Sequence, residues 1–154
     1  MATDLDPSEL RACAQSCAAA NVRRTSRTLN RHYGQFLAQA GLEPTQYSLL
    51  VACSLARSIT VSRLAEALAI ERSALARNLG VMEKAGLVRV VPGEDRRTRL
   101  VTLTETGAHK LAEALPLWRK AQATVENRFG ADRLRELLSE LRALAREPDE
   151  SPGA

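Results

Sequence analysis

The sequence predicts a mainly α protein with one small β-hairpin, and three observations carry that prediction. Apolar residues recur every three or four positions from Leu10 to Ala40, and again from Leu111 to Ala145. Between these stretches, two short helical runs are separated only by Ala69, Ile70 and Glu71. Two β-branched runs, Leu87 to Val91 and Arg99 to Leu103, then follow, with the turn-forming pair Pro92 and Gly93 between them. Helix, tight turn, helix and hairpin in that order describe a winged helix-turn-helix, here flanked by long N- and C-terminal helices.

Each element has a local reason. After a loose arm over residues 1–8, the spacing of Leu10, Cys13, Cys17, Asn21, Thr25, Leu29, Tyr33, Phe36 and Leu37 predicts a single long helix stopped at Gly41. Pro44 suits the first position of a second helix running through Tyr47, Leu50 and Val51 toward Arg57. Thr60 caps a short helix with Leu64, Ala65 and Leu68 inside. The next helix buries Leu75, Leu79 and Met82 and ends at Gly86, where a left-handed residue is wanted. Thr104 caps a long helix through Leu111, Leu115, Trp118, Val125 and Phe129, and Pro116 is expected to kink it. Gly130 and Asp132 restart the chain, and Leu134, Leu137, Leu138 and Leu141 form an apolar stripe.

The expected organisation is a winged helix-turn-helix over 41–104 and a helical dimerisation region over 1–40 and 105–147. Residues 148–154 are expected to be a disordered tail. Alone, the first and last helices would leave apolar stripes in water, so a second copy of the chain is expected to cover them.

Composition narrows the class. At 154 residues, 45% hydrophobic and 26% charged, the chain fits one globular core. Three cysteines are too few for a disulfide scaffold, and no apolar run approaches the roughly 20 residues of a membrane span. A cytoplasmic protein with no membrane partner is expected. The net charge of +4 is concentrated between residues 57 and 99, with nine basic residues against five acidic ones. Of 22 cationic residues only Lys84, Lys110 and Lys120 are lysine. Arginine's planar fork suits phosphates and base edges, so an anionic polymer is the expected partner.

Signatures of catalysis are missing: no His-Glu-x-x-His, no Gly-x-Ser-x-Gly and no phosphate-cradling loop. His32 and His109 stand apart without cysteine or carboxylate spacing and read as surface or rim residues, so no enzyme, metal or cofactor is expected. One Trp, two Tyr and two Phe are too scattered for a single-strand stacking platform.

The segment from Glu71 to Lys84 is the main candidate site. With Leu75, Leu79 and Met82 inward, Arg72, Ser73, Ala76 and Arg77 face outward near the helix start, where the dipole and free N–H groups favour phosphate. Arg77 suits a bidentate contact with guanine, a pairing worth about 1–3 kcal/mol of discrimination. Ser73 and Asn78 add hydrogen-bonding groups, and the small Ala74 and Ala76 permit close approach to the major groove. In the hairpin tip, Arg96, Arg97 and Arg99 suit the negative potential of a minor groove. Asp95 is expected to turn inward and fix the loop through backbone N–H groups or an arginine.

Together these residues resemble the MarR family of winged-helix regulators. The resemblance rests on Leu64-Ala65, the stretch from Arg72 to Arg77, and Leu79. It continues through Glu83, Lys84, Gly86, Leu87 and Val88, then Asp95 to Arg97, and Leu103, Thr104, Glu105 and Gly107. A weaker likeness extends to Gly41, Leu42, Pro44, Gln46, Tyr47 and the flanking helices. It implies a homodimer with intertwined end helices that binds palindromic double-stranded operator DNA. Such a regulator is usually a repressor, released by a small ligand or by oxidation. By position, Ser73 and Arg77 match the family's recognition-helix contacts, and Asp95 and Arg97 its wing motif. The chain departs from the pattern at Glu71, where a short polar cap is usual, and at Ala74 and Ala76, where hydroxyl residues are common.

Two triggers compete. Arg23, Arg27 and Arg31 repeat one turn apart beside Arg24, with no acid between residues 10 and 42. An acidic effector, in particular an aromatic carboxylate, would compensate them, with Tyr33 and Tyr47 as walls; pairing with Glu126, Glu136 or Glu140 is the plainer alternative. Cys13 and Cys17, one turn apart, together with Cys53 would make an oxidation or soft-metal sensor, or else simply small packing residues. A further alternative is a winged helix used as a protein-interaction or architectural module, which would more often expose aromatic anchors than arginines.

Overall fold

The computed structural model describes residues 5–95 and 97–145. The chain runs through α1 (Pro7–Ser16), α2 (Ala18–Leu37), a 3-10 turn (Ala38–Ala40), α3 (Pro44–Ala56) and β1 (Ser58–Thr60). It continues through α4 (Val61–Leu68), α5 (Arg72–Lys84), β2 (Val88–Pro92), β3 (Arg99–Leu103), α6 (Glu105–Phe129) and α7 (Ala131–Leu144). The expected mainly α winged helix-turn-helix is present, with two corrections.

First, the single long N-terminal helix is two. Cys17 leaves helical geometry, with φ −64° and ψ 106°, and caps the end of α1. The Asn21 side chain donates to the carbonyls of Gln15 and Cys17 at 3.0 and 2.9 Å and so bridges the break, supplying a partner to the Gln15 carbonyl at the end of α1. Second, the hairpin is the larger part of a three-stranded antiparallel sheet ordered β1-β3-β2. Ile59 pairs with Val101, and Val101 in turn with Val90, so β3 is held on both sides.

Caps and turns follow the sequence closely. The Thr60 hydroxyl accepts the Arg63 N–H at 3.2 Å to start α4, and Gln46 Oε1 accepts the Glu43 N–H at 3.0 Å at the start of α3. Gly86 takes φ +71° after α5. Ala69, between α4 and α5, adopts the left-handed region at φ 49° without being glycine.

One core joins the winged part to α6. Leu37, Leu49, Leu50, Leu64, Leu75, Met82, Val88, Val101 and Ala114 are fully buried or nearly so, and Tyr33, Leu111 and Trp118 pack against them. The start of α6 is docked by Thr104. Its hydroxyl donates to the Gly86 carbonyl at 2.6 Å, lies 3.0 Å from that of Leu87 and accepts the Gly107 N–H at 2.9 Å. Outside this core, Val22, Leu29, Leu137, Leu138 and Leu144 on α2 and α7 remain exposed. No helix among the described residues is long and apolar enough to cross a membrane.

Candidate nucleic-acid interface and effector cleft

The helix α5 is built to be held from one side only. Leu75, Leu79 and Met82 are buried, whereas Arg72, Ser73, Ala76 and Arg77 are exposed. Ala74 and Asn78 are half-buried, and the Asn78 amide donates to the Ala74 carbonyl at 3.0 Å. Glu71, at the cap, makes no side-chain bond to the first turn, leaving those N–H groups without a side-chain partner. At its other end α5 is tied to the sheet, because Glu83 Oε1 accepts the Val90 N–H at 3.0 Å. The exposed face of α5 is therefore fixed relative to the hairpin.

In the hairpin loop the Asp95 carboxylate accepts the Arg97 N–H at 3.0 Å, and the Asp95 carbonyl accepts the Thr98 N–H at 2.9 Å and its hydroxyl at 2.8 Å. Gly93 donates to the Thr98 carbonyl at 2.9 Å and closes the turn. Arg97 and Arg99 are exposed; Arg96 lies outside the described residues. Sequence reasoning passed over Arg89, exposed on β2 between the inward Val88 and half-buried Val90; strand alternation was the available signal.

A cleft of about 670 Å³ opens between α3, α4 and α6. Tyr47 and Trp118 form one wall with nearly parallel rings, 13° apart in plane and 6.2 Å between centroids. Val51, Leu55, Leu68, Leu111 and Leu115 supply much of the rest. Burial raises the Tyr47 phenol above its ordinary value, and the nearby Arg119 guanidinium opposes that rise.

The residues assigned from sequence to an acidic-effector site do not assemble. Of Arg23, Arg27, Tyr33 and Tyr47, only Tyr47 lines the cleft. Tyr33 donates its hydroxyl to Gln122 Oε1, and Gln122 passes the chain on to Glu126 at 2.9 Å. Arg23, Arg24, Arg27 and Arg31 are exposed, and no ion pair among the described residues joins them to Glu126, Glu136 or Glu140. The i, i+4 spacing that put the arginines on one face also carried them away from the core.

Nor do the cysteines gather. Cys13 and Cys17 are exposed on and just beyond α1, whereas Cys53 is buried in α3, where desolvation pushes its thiol up to about 11. A thiol so raised stays protonated at neutral pH, which suits packing rather than sensing. His32 is half-buried, as expected of a rim residue, with Nε2 3.0 Å from the Ala121 carbonyl and its ring edge-on to Phe36.

A MarR-family sequence profile matches residues 40–98, the segment from the end of the 3-10 turn to the hairpin tip. The M. tuberculosis transcriptional regulator MosR, solved in complex with DNA, superposes with a TM-score of 0.75 at 40% identity over 84% of this chain and 96% of its own. The transcriptional repressor CouR, bound to a 23-mer DNA duplex, gives 0.78 at 25% identity over 94% of this chain and all of its own. The transcriptional activatory protein BadR of Rhodopseudomonas palustris is 44% identical over 73 residues, which spans 42% of that relative. Helix order, three-stranded sheet and sequence agreement lead to one conclusion: the chain belongs to the MarR family of transcriptional regulators.

Proposed function

We propose that the chain works as a homodimer that binds a palindromic DNA operator and represses transcription until a small molecule releases it. The observation that carries this reading is the single-sided burial of α5, which leaves Ser73 and Arg77 exposed one turn apart. In it, α5 enters the major groove, Arg77 reads guanine and Arg72 meets phosphate. Arg96, Arg97 and Arg99 serve the adjacent minor groove, and Asp95 shapes the loop that presents them. The DNA complexes of MosR and CouR support the same use of this fold.

The dimer rests on the uncovered apolar faces. A groove of about 440 Å³ between α2 and α7 is lined by Val22, Leu29, Leu137 and Leu141, and Leu138 and Leu144 lie exposed on α7. A second copy would bury them, in keeping with residues 1–40 and 105–147 as the dimerisation region. The effector's place is the α3–α4–α6 cleft, which borders both the winged part and α6.

Footprinting of the protein on DNA flanking its own gene tests the reading. Protection of two half-sites about 34–36 Å apart is the expected result. Binding without a fixed footprint, at equal strength on random duplex, would replace it with an architectural role.

A further inference from the structure

Resting on the reading of α5 as the helix that enters the major groove, we infer that Val81 determines part of its specificity. Its partner is the 5-methyl group of a thymine beside the guanine that Arg77 meets. Val81 is 57% exposed on the third turn of α5. The other exposed large hydrophobics among the described residues lie on or next to α1, α2, α6 and α7, except Leu55, which lines the α3–α4–α6 cleft. Val81 alone belongs neither to the flanking helices nor to the cleft. Helical spacing puts it on the outward face: Ser73, Arg77 and Val81 follow at intervals of four, opposite the buried Leu75, Leu79 and Met82. Lys84 is exposed on the same face one turn farther on, so a cation stands on either side of the valine. That setting suits duplex DNA better than an apolar protein surface. Phosphates meet the cations, while the floor of the major groove offers one apolar group, the thymine methyl.

Valine is short, so the helix must lie close to the base edges, and the residue before it permits this. Gly80 shares the outward face, and a Cβ built there meets nothing within 4 Å outside its own helix. No packing among the described residues calls for a glycine at this position, and glycine is a poor residue inside a helix. Its missing side chain leaves the groove wall free to approach α5 beside Val81. Four residues of helix rise about 6 Å and successive base pairs about 3.4 Å, so the thymine stands about two base pairs from the guanine of Arg77.

The experiment selects binding sites for the full-length protein from a random duplex library. Each thymine of the selected half-site is then replaced by deoxyuridine, which pairs identically and lacks only the methyl. One position per half-site, about two base pairs from the guanine whose preference Arg77→Ala relaxes, should lose about three- to fivefold in affinity, as expected for one methyl taken out of water. Val81→Ala should bind the thymine duplex more weakly by a similar factor and no longer distinguish thymine from uracil there. Because Val81 is exposed, its thermal unfolding should match that of the parent chain.

Half-sites with no thymine at that position, or with uracil neutral there while Arg77→Ala still relaxes the guanine, would overturn the role of Val81 and leave the groove reading of α5 intact. A uracil penalty that persists in Val81→Ala would assign the methyl to another residue and overturn the inference as well. Selection that yields no shared sequence would overturn both.

Discussion

Thr104 and Gly86 are joined by a 2.6 Å hydrogen bond from the threonine hydroxyl to the glycine carbonyl, across 18 positions of sequence. The same hydroxyl accepts the Gly107 N–H, so one oxygen fastens the turn after α5 to the first turn of α6. The bond ties the position of α6 to the C-terminal end of α5. A Cβ added at Gly107 would lie 2.9 Å from the Leu87 carbonyl carbon, closer still to its oxygen, and 2.8 Å from Leu103 Cδ1.

Gly107→Ala should therefore destabilise the protein by about 1–3 kcal/mol, because the obstacle is backbone and not a flexible side chain. Thr104→Val, which keeps the shape and removes the cap, should cost about 1 kcal/mol. Urea denaturation of the two variants checks both values; a neutral Gly107→Ala would contradict the docking geometry.

Arg77→Ala and Arg97→Ala should separate two kinds of contact. Arg77→Ala should lose about 1–3 kcal/mol on the cognate duplex and little on random DNA. Arg97→Ala should weaken binding to both duplexes alike and reduce the salt slope by about one unit. Affinities measured against both duplexes over a range of salt read the difference; the same pattern for both variants would refute this assignment.

Leu138→Glu should place a charge on the uncovered face of α7, where Leu138 is 40% exposed in the single chain. The substitution should leave the fold of one subunit intact and shift the protein toward monomer, with loss of high-affinity binding to a two-half-site operator. Sedimentation across protein concentration checks it, and an unchanged dimer would exclude this face from the interface.

Cys53 carries a pH signature. Below pH 9.0, its ordinary value, the thiol is protonated whether the chain is folded or not, and stability is unaffected by it. Above that value the unfolded thiol ionises while the buried one holds its proton up to about 11, so stability falls across this window by at most about 2–3 kcal/mol. The decline should be absent in Cys53→Ala. Iodoacetamide at neutral pH should modify Cys13 and Cys17 in the single folded chain and reach Cys53 only after denaturation.

Ala69 sits between α4 and α5 at φ 49° and ψ 45°. Ala69→Gly relieves a left-handed penalty of about 1–2 kcal/mol and gives back part of it in unfolded-state entropy. A net gain of up to about 1 kcal/mol in thermal unfolding is expected, and a loss would show that the alanine methyl has a packing role.

The helices and the hairpin were legible because each is coded locally. Thr60, Thr104, Gly86 and the Leu75, Leu79, Met82 spacing act within a turn or two of the chain. The strand β1 was not, because three residues just after α3 become a strand only by pairing with Thr102, Val101 and Leu100, forty or more positions on. The break at Cys17 escaped because the apolar period runs on through it. The cleft was illegible for a related reason: Tyr47, Leu68 and Trp118 come from three helices, and only the fold makes them neighbours. The arginine ladder on α2 misled because periodicity tells which residues share a face without telling what that face meets.

The central position of β3 has a practical consequence. Because it is hydrogen-bonded to β1 on one side and β2 on the other, the frame survives changes at the tip, which is closed by the Gly93 to Thr98 bond. The residues between those two are thus an exchangeable cassette: a tip transplanted from a relative should alter how flanking DNA is gripped while the scaffold beneath keeps its shape.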